Sequence, residues 1–137
     1  MKHVLCCIMV FLISVMALPG YSAVIGTTDE EVKNITEPIL DNVMSGFTND
    51  NYLQYSKDFD ATLKETITLE RFQEIRGDIL KWIGSYLYRD YLGFINREAI
   101  TIIFWKGIFD KTQDEILIKM VVSERNGQYL ITGLWYQ

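Results

Sequence analysis

Residues 99–109 read AITIIFWKGIF, and the fold turns on this stretch. Both parities are apolar, and the run is rich in β-branched and aromatic residues, which predicts a central strand covered on both faces. Working outward, residues 115–123 place Ile116, Ile118, Met120 and Val122 on one face, with Lys119 and Ser123 on the other, the period-2 alternation of a strand. Asn126-Gly127 follows as a hairpin signal and leads into a last strand, residues 128–136. On the other side, residues 85–95 (SYLYRDYLGFI) are aromatic-rich and alternate imperfectly, with Gly93 a candidate bulge. These segments predict a four-stranded antiparallel meander.

Before Gly84 the apolar period lengthens from 2 to about 3.6 residues. Thr28 through Glu31 form a capping box, and Asp29 and Glu30 suit the positive end of a helix dipole. Val32, Ile35, Ile39, Val43 and Phe47 then mark one helix face, with Pro38 expected to kink or split the helix and Gly46 to stop it. Thr48-Asn49-Asp50-Asn51 reads as a turn, Tyr52-Leu53-Gln54-Tyr55 as a short aromatic segment, and Asp58-Phe59-Asp60 as a loop anchored by its phenylalanine. A second helix is predicted from Thr68 to Ile83, with Leu69, Phe72, Ile75, Ile79, Leu80 and Ile83 as its stripe and Gly84 as its stop. The fold class is therefore α+β: two or three N-terminal helices packed on one face of a curved four-stranded antiparallel sheet.

The start of the chain reads differently. Met1-Lys2-His3 precedes Val4–Leu18 (VLCCIMVFLISVMAL), apolar except for Ser14 and ended by Pro19-Gly20. This run is shorter than the roughly 20 apolar residues a membrane-spanning helix needs, and it has the layout of a secretory signal. Gly20 and Ser22 suit cleavage before Ala23, whereas cleavage after Ala23 would place Tyr21 at the third position upstream. Residues 1–22 are thus expected to be a signal peptide and residues 23–137 a single exported domain, secreted or in the cell envelope; an uncleaved N-terminal anchor is the competing reading. The only histidine, His3, and both cysteines, Cys6 and Cys7, lie in the segment removed. A domain without imidazole or thiol lacks the usual nucleophile–base pairs and nearly all zinc and iron ligands, and cannot form a disulfide. About 115 remaining residues suffice to bury a core without such staples.

The formal net charge is -5 at pH 7, and loss of Lys2 makes it more negative still. Acidic residues are dispersed, and no basic stripe offers the clustered cations that nucleic acid or anionic membranes require. No glycine-rich phosphate loop is present. Asp58 and Asp60, with Asp50 nearby, lack the further carboxylate and glycine of an EF-hand loop, so loop and capping roles are the better reading. Asn34-Ile35-Thr36 matches a glycosylation sequon on a predicted helix, a match that chance accounts for. Nothing in the sequence calls for a cofactor or a metal.

The layout of helix, short segment, helix and curved antiparallel sheet resembles the cone-shaped fold of the superfamily containing nuclear transport factor two and ketosteroid isomerase. More narrowly, the chain is similar to the small exported domains of unknown function in that superfamily. The matching pieces are Asn51-Tyr52 leading to Asp58-Phe59-Asp60, then Leu63, Leu69 through Phe72, Gly84 before the first strand, and Gly133-Leu134 in the last. The resemblance spans nearly all of residues 28–137 and implies a fold and a pocket between helices and sheet, but no reaction. It raises one enzymatic option: proton transfer by an Asp base with a tyrosine oxyanion hole. Asp90, in strand parity with Tyr86 and Tyr88, would supply those groups, with Trp105 and Trp135 lining the cavity. Tyrosine is, however, an ordinary strand residue with a polar tip. The favoured expectation is a non-catalytic binding or accessory domain for a small molecule or a protein, using Tyr86, Tyr88, Asp90, Trp105 and Trp135 as pocket residues. The aromatic sheet residues Phe94, Phe104, Phe109 and Tyr136, with Trp105 and Trp135, would serve as pocket lining or, about equally, as core and the face of a homodimer, and the two can coexist.

Overall fold

The structure is a computed structural model that describes residues 21–137. The apolar run Val4–Leu18, with His3, Cys6 and Cys7, lies outside the described residues. The element order is β1 (Ser22–Ala23), α1 (Asp29–Thr48), α2 (Tyr52–Tyr55), α3 (Ala61–Thr66), α4 (Leu69–Trp82), β2 (Tyr86–Arg97), β3 (Ile100–Phe109), β4 (Ile116–Arg125) and β5 (Gln128–Tyr136). The expected α+β architecture is present: helices pack on one face of a curled antiparallel sheet in which β2, β3, β4 and β5 follow as a meander. The two-residue β1 adds a fifth strand, pairing Ser22 with Arg125 and Ala23 with Glu124; the bond proposed for cleavage lies inside it. Among the described residues no helix is long and apolar enough to cross a membrane.

Local chemistry explains most element ends. Thr28 caps α1, its Oγ1 accepting from Glu31 N at 3.2 Å, while the Glu31 carboxylate accepts from Thr27 N at 2.9 Å. Asn51, Asp60 and Thr68 cap α2, α3 and α4 through side-chain oxygens. Gly84, at φ 87°, ends α4 in the left-handed region that glycine tolerates. Asn126 (φ 52°) and Gly127 (φ 74°) make the turn between β4 and β5, the pair of positive φ values that a two-residue hairpin requires. At Gly93 the β2–β3 register shifts, confirming the expected bulge.

Five local readings are corrected. First, α1 is not split at Pro38 but continues through it. A proline forfeits one bond to the carbonyl four residues earlier, here that of Asn34, and because both residues are exposed water can serve that carbonyl. Second, Gly46 does not stop α1, which continues to Thr48. Instead it lets α2 approach: a Cβ there would sit 2.7 Å from Tyr55 Cα and 2.8 Å from the Asn51 carbonyl. Third, the turn region contains the additional helix α3, capped by Asp60. Fourth, Leu69 is mostly exposed at the start of α4, whereas Phe72, Ile79 and Ile83 carry its burial. Fifth, β3 is covered on one face only.

That last correction concerns the whole sheet. Thr101, Ile103, Trp105 and Phe109 of β3 face the helices and are buried, while Ile102, Phe104, Lys106 and Ile108 on the other parity are only half-buried. The core is formed where the inner face, with Ile118, Met120, Val122 and Ile131 of β4 and β5, meets Val32, Leu40, Val43 and Phe47 of α1 and Phe72 of α4. Tyr55 and Phe59 fill the space between them, stacked edge to face at 5.3 Å. Each such fully buried large side chain contributes about 1.5–3 kcal/mol relative to exposure. One layer of helices covers one face of the sheet, and nothing among the described residues covers the other.

The two helical glycines give a paired test. Gly46→Ala should lower stability in urea unfolding by about 1–3 kcal/mol, because backbone must move to admit the methyl. Gly77→Ala, in α4 with nothing within 4 Å of the added carbon, should raise it by about 0.5–1 kcal/mol.

Candidate functional site

Trp105 is the largest fully buried side chain, and its indole N–H needs an acceptor inside the protein. Glu37 supplies one: Trp105 Nε1 donates to Glu37 Oε1 at 2.7 Å. Glu37 reaches the sheet because α1 turns that residue, and Asp41 one turn later, toward β2. Arg89, on the inner face of β2 opposite Gly107, meets both. Its Nε donates to Glu37 Oε2 at 3.0 Å, and one terminal nitrogen donates to Asp41 Oδ1 at 2.8 Å and to the Glu37 carbonyl at 3.2 Å. The other terminal nitrogen donates to the Tyr86 hydroxyl at 3.1 Å. Burial alone would weaken the charge of Arg89; its bonds to Asp41, Tyr86 and Glu37 more than offset this and hold the guanidinium deeper in its charged range.

A groove of about 510 Å³ opens beside this cluster, between the second half of α1 and the start of β2. Met44 and Leu87 give it apolar wall; Ser45, Thr48 and Asn49 give it neutral polar groups. All but one of the guanidinium N–H groups are committed to the protein's own oxygens, and two carboxylates stand against one cation. The groove therefore suits a neutral or cationic guest better than an anion. Between α1 and the sheet the interior itself is occupied by packed aromatic and aliphatic side chains, so guest space lies at the rim.

The sequence-predicted site residues do not gather at one place. Tyr86 and Trp105 are on the inner face, Tyr86 at the groove and Trp105 in the core beneath Glu37. Tyr88 and Asp90 are on the outer face, opposite Ile108 and Lys106. Strand parity fails between Tyr86 and Tyr88 because the register shifts there, with Leu87 as the extra residue. Tyr88 still reaches the groove rim, whereas Asp90 is solvent-exposed and lies 3.9 Å from Lys106 Nζ. Trp135 is on β5, its ring lying against Gly133 with Lys119 Nζ 4.6 Å from the ring centre. Asp90 and Tyr86 thus share no reacting centre.

Several other polar groups are also engaged. Asp60 accepts from Leu63 N at 2.8 Å on one oxygen and from Arg125 at 3.0 Å on the other, as expected of a capping residue. Among the described residues no group of three potential metal ligands is gathered. Burial pushes the phenol of Tyr136 well up, as does its neighbour Tyr55. Burial also raises Tyr55, against an opposing bond to Tyr136. Tyr91 is raised by burial and by its 2.8 Å bond to Asp29. These phenols act as hydrogen-bond groups that resist ionisation. Thr36 of the sequon is buried and donates to the Val32 carbonyl at 2.7 Å.

Glu37, Asp41 and Arg89 escaped the sequence reading. They stand about fifty positions apart, with separations of 52 and 48 residues. The available signal was two carboxylates one helical turn apart, next to positions of the apolar face. Comparison with known proteins finds no matching family, no similar curated protein and no similar solved structure.

The cluster predicts unequal costs. Glu37→Ala strands the Trp105 N–H and a guanidinium whose side chain is only 10% exposed, and should cost about 3 kcal/mol. Asp41→Asn, at a side chain 66% exposed, should change stability by less than about 1 kcal/mol. Urea unfolding of both variants measures the difference.

Proposed function

We propose that this chain is an exported binding domain of the cone-shaped superfamily, without catalytic machinery of its own, whose guest sits in the groove between α1 and β2. The supporting observation is the Glu37–Arg89–Asp41 cluster, which lines an open groove with fixed polar groups while Met44 and Leu87 add apolar surface. Binding sites commonly combine apolar lining with a few fixed polar groups. The curled sheet and its single helix layer are compatible with the superfamily, and the apolar N-terminal run supports export. A neutral or cationic small molecule is the class of guest that the charge balance favours.

A second copy of the chain is proposed as the partner on the outer sheet face. Leu92 and Ile95 of β2 and Trp135 of β5 are 58%, 45% and 44% exposed, and Ile102 and Phe104 lie half-buried between them. Sheets pack face to face about 10 Å apart, and a two-fold axis would set these apolar rows against their own copies.

Two measurements test the reading. Native mass spectrometry of protein purified from its own host should show an added small-molecule mass. That mass should be lost from Thr48→Trp, which fills the groove from an exposed position, with the melting temperature unchanged. Absence of added mass, or its retention in the variant, refutes the groove as the site. Sedimentation equilibrium should show a dimer that Ile95→Glu converts to monomer; a monomeric parent protein removes the dimer.

A further inference from the structure

The free edge of β5 divides into two halves with different fates. In the first half, Ile131 turns both backbone groups away from β4. Asp60 N donates to the Ile131 carbonyl at 2.9 Å and Ile131 N donates to the Asp58 carbonyl at 2.7 Å. This is a parallel bridge between Phe59 and Ile131, so residues 58–60 already lie along the edge as a short added strand. The chain then gives up strand pairing, because Asp60 caps α3; that helix stays in contact with β5, and Ile67 after it lines the neighbouring slot.

Among the described residues the second half has no such backbone partner. Gln137 and Leu117 exchange both backbone bonds, at 2.7 and 2.9 Å. Alternation along an antiparallel pair then points the N–H and C=O of Tyr136 outward, Trp135 toward β4 and Leu134 outward again. The register, which pairs Tyr136 with Ile118 and Leu134 with Met120, agrees with the outward direction of Ile131 once the shift after Gly133 is counted. Among the described residues no backbone partner meets Leu134 or Tyr136 at this edge. Beside them, a slot of about 260 Å³ separates β5 from α4, with Ile75 and Ile79 at its base and Trp82 and Asp78 at its rim. Trp82 is 57% exposed, and Asp78 forms no ion pair among the described residues.

The opposite edge of the sheet is managed differently. β2 carries two register shifts, one of them the bulge at Gly93, devices that discourage strand addition. The open half of β5 has a free ladder and an apolar slot side by side, the combination used in strand-addition recognition.

We propose that the open half of the β5 edge docks an extended, basic peptide segment of a partner protein, added as a parallel strand that continues the line of residues 58–60. Its backbone pairs with Leu134 and Tyr136. Alternate apolar side chains enter the slot against Ile75 and Ile79, and a lysine or arginine meets Asp78. A second copy is the poorer occupant, since two β5 edges paired about a two-fold axis would bring Asp78 toward its own symmetry mate in an already acidic chain. This site is separate from the α1–β2 groove and does not depend on it.

The test uses the isotope-labelled protein and the blocked peptide acetyl-Lys-Val-Thr-Val-Thr-Val-Lys-amide, with amide hydrogen exchange read residue by residue. At millimolar peptide, exchange at Leu134 and Tyr136 should slow about tenfold or more. N-methylation of alternate peptide residues in one frame should abolish the effect and in the other frame leave it. Trp82→Ala, at an exposed rim position, should weaken binding about fivefold without altering the melting temperature. No slowing at these two amides overturns the proposal, as does equal tolerance of both N-methylated frames, which would mean side-chain contact alone. Protection that rises with protein concentration in the absence of peptide would assign the edge to a second copy and overturn it equally.

Discussion

Trp105 sets a chain of demands that organises one side of the molecule. Its ring is the largest buried in the sheet, and a buried indole N–H left unpaired would cost about 1–3 kcal/mol. Glu37 answers the N–H but brings a carboxylate to the edge of the core, and a carboxylate there needs a cation. Arg89 provides it and requires further acceptors, which Asp41, the Glu37 carbonyl and Tyr86 supply. The network therefore fixes the rotation of α1 about its axis as well as its distance from the sheet. Apolar packing alone is non-directional and would tolerate several rotations of a helix with a broad apolar face. The groove beside the network follows from the same constraint, because its charged wall is the outer surface of this junction.

Features with a local cause were readable in advance. Thr28 and Thr68 announce helix starts, Gly84 a helix stop, Asn126-Gly127 a hairpin, and the alternation of Ile116, Ile118, Met120 and Val122 a strand with one buried face. Features with a tertiary cause were not. Gly46 looks like a stop because glycine often ends helices, yet its role is to admit the backbone of α2, which the sequence near it does not mention. Pro38 is tolerated because it and Asn34, whose carbonyl it deprives, lie on the exposed side of α1. The shift at Leu87 reverses the parity of every β2 residue before it, so Tyr86 and Asp90 part company although their spacing suggests one face. The apolar second parity of β3 suggests burial on both faces; it is only half-buried because the described chain has one layer of helices to offer.

The pocket residues fared according to the same division. Tyr86 and Tyr88 reach one groove from opposite sides of the register shift. Trp105 is absorbed into the core, and Asp90 and Trp135 stand on the outer face near opposite margins of the sheet. The cluster that builds the groove wall joins α1 to β2 across some fifty residues, and no spacing rule within either element would have paired Glu37 with Arg89. What the molecule presents outward is correspondingly spread: a polar groove at one margin, an apolar sheet face, and a half-open strand edge at the other margin.

The short strand β1 carries a temporal meaning. Arg125 donates to the Ser22 hydroxyl at 3.1 Å and to Asp60, tying together the first strand, the cap of α3 and the end of β4. Ser22 and Arg125 are separated by 103 positions, while the hairpins and helix caps join residues only a few positions apart. Loop closure over such a distance becomes favourable only after the intervening structure has shortened it. The bond between Ser22 and Arg125 is consequently among the last contacts of the fold to close.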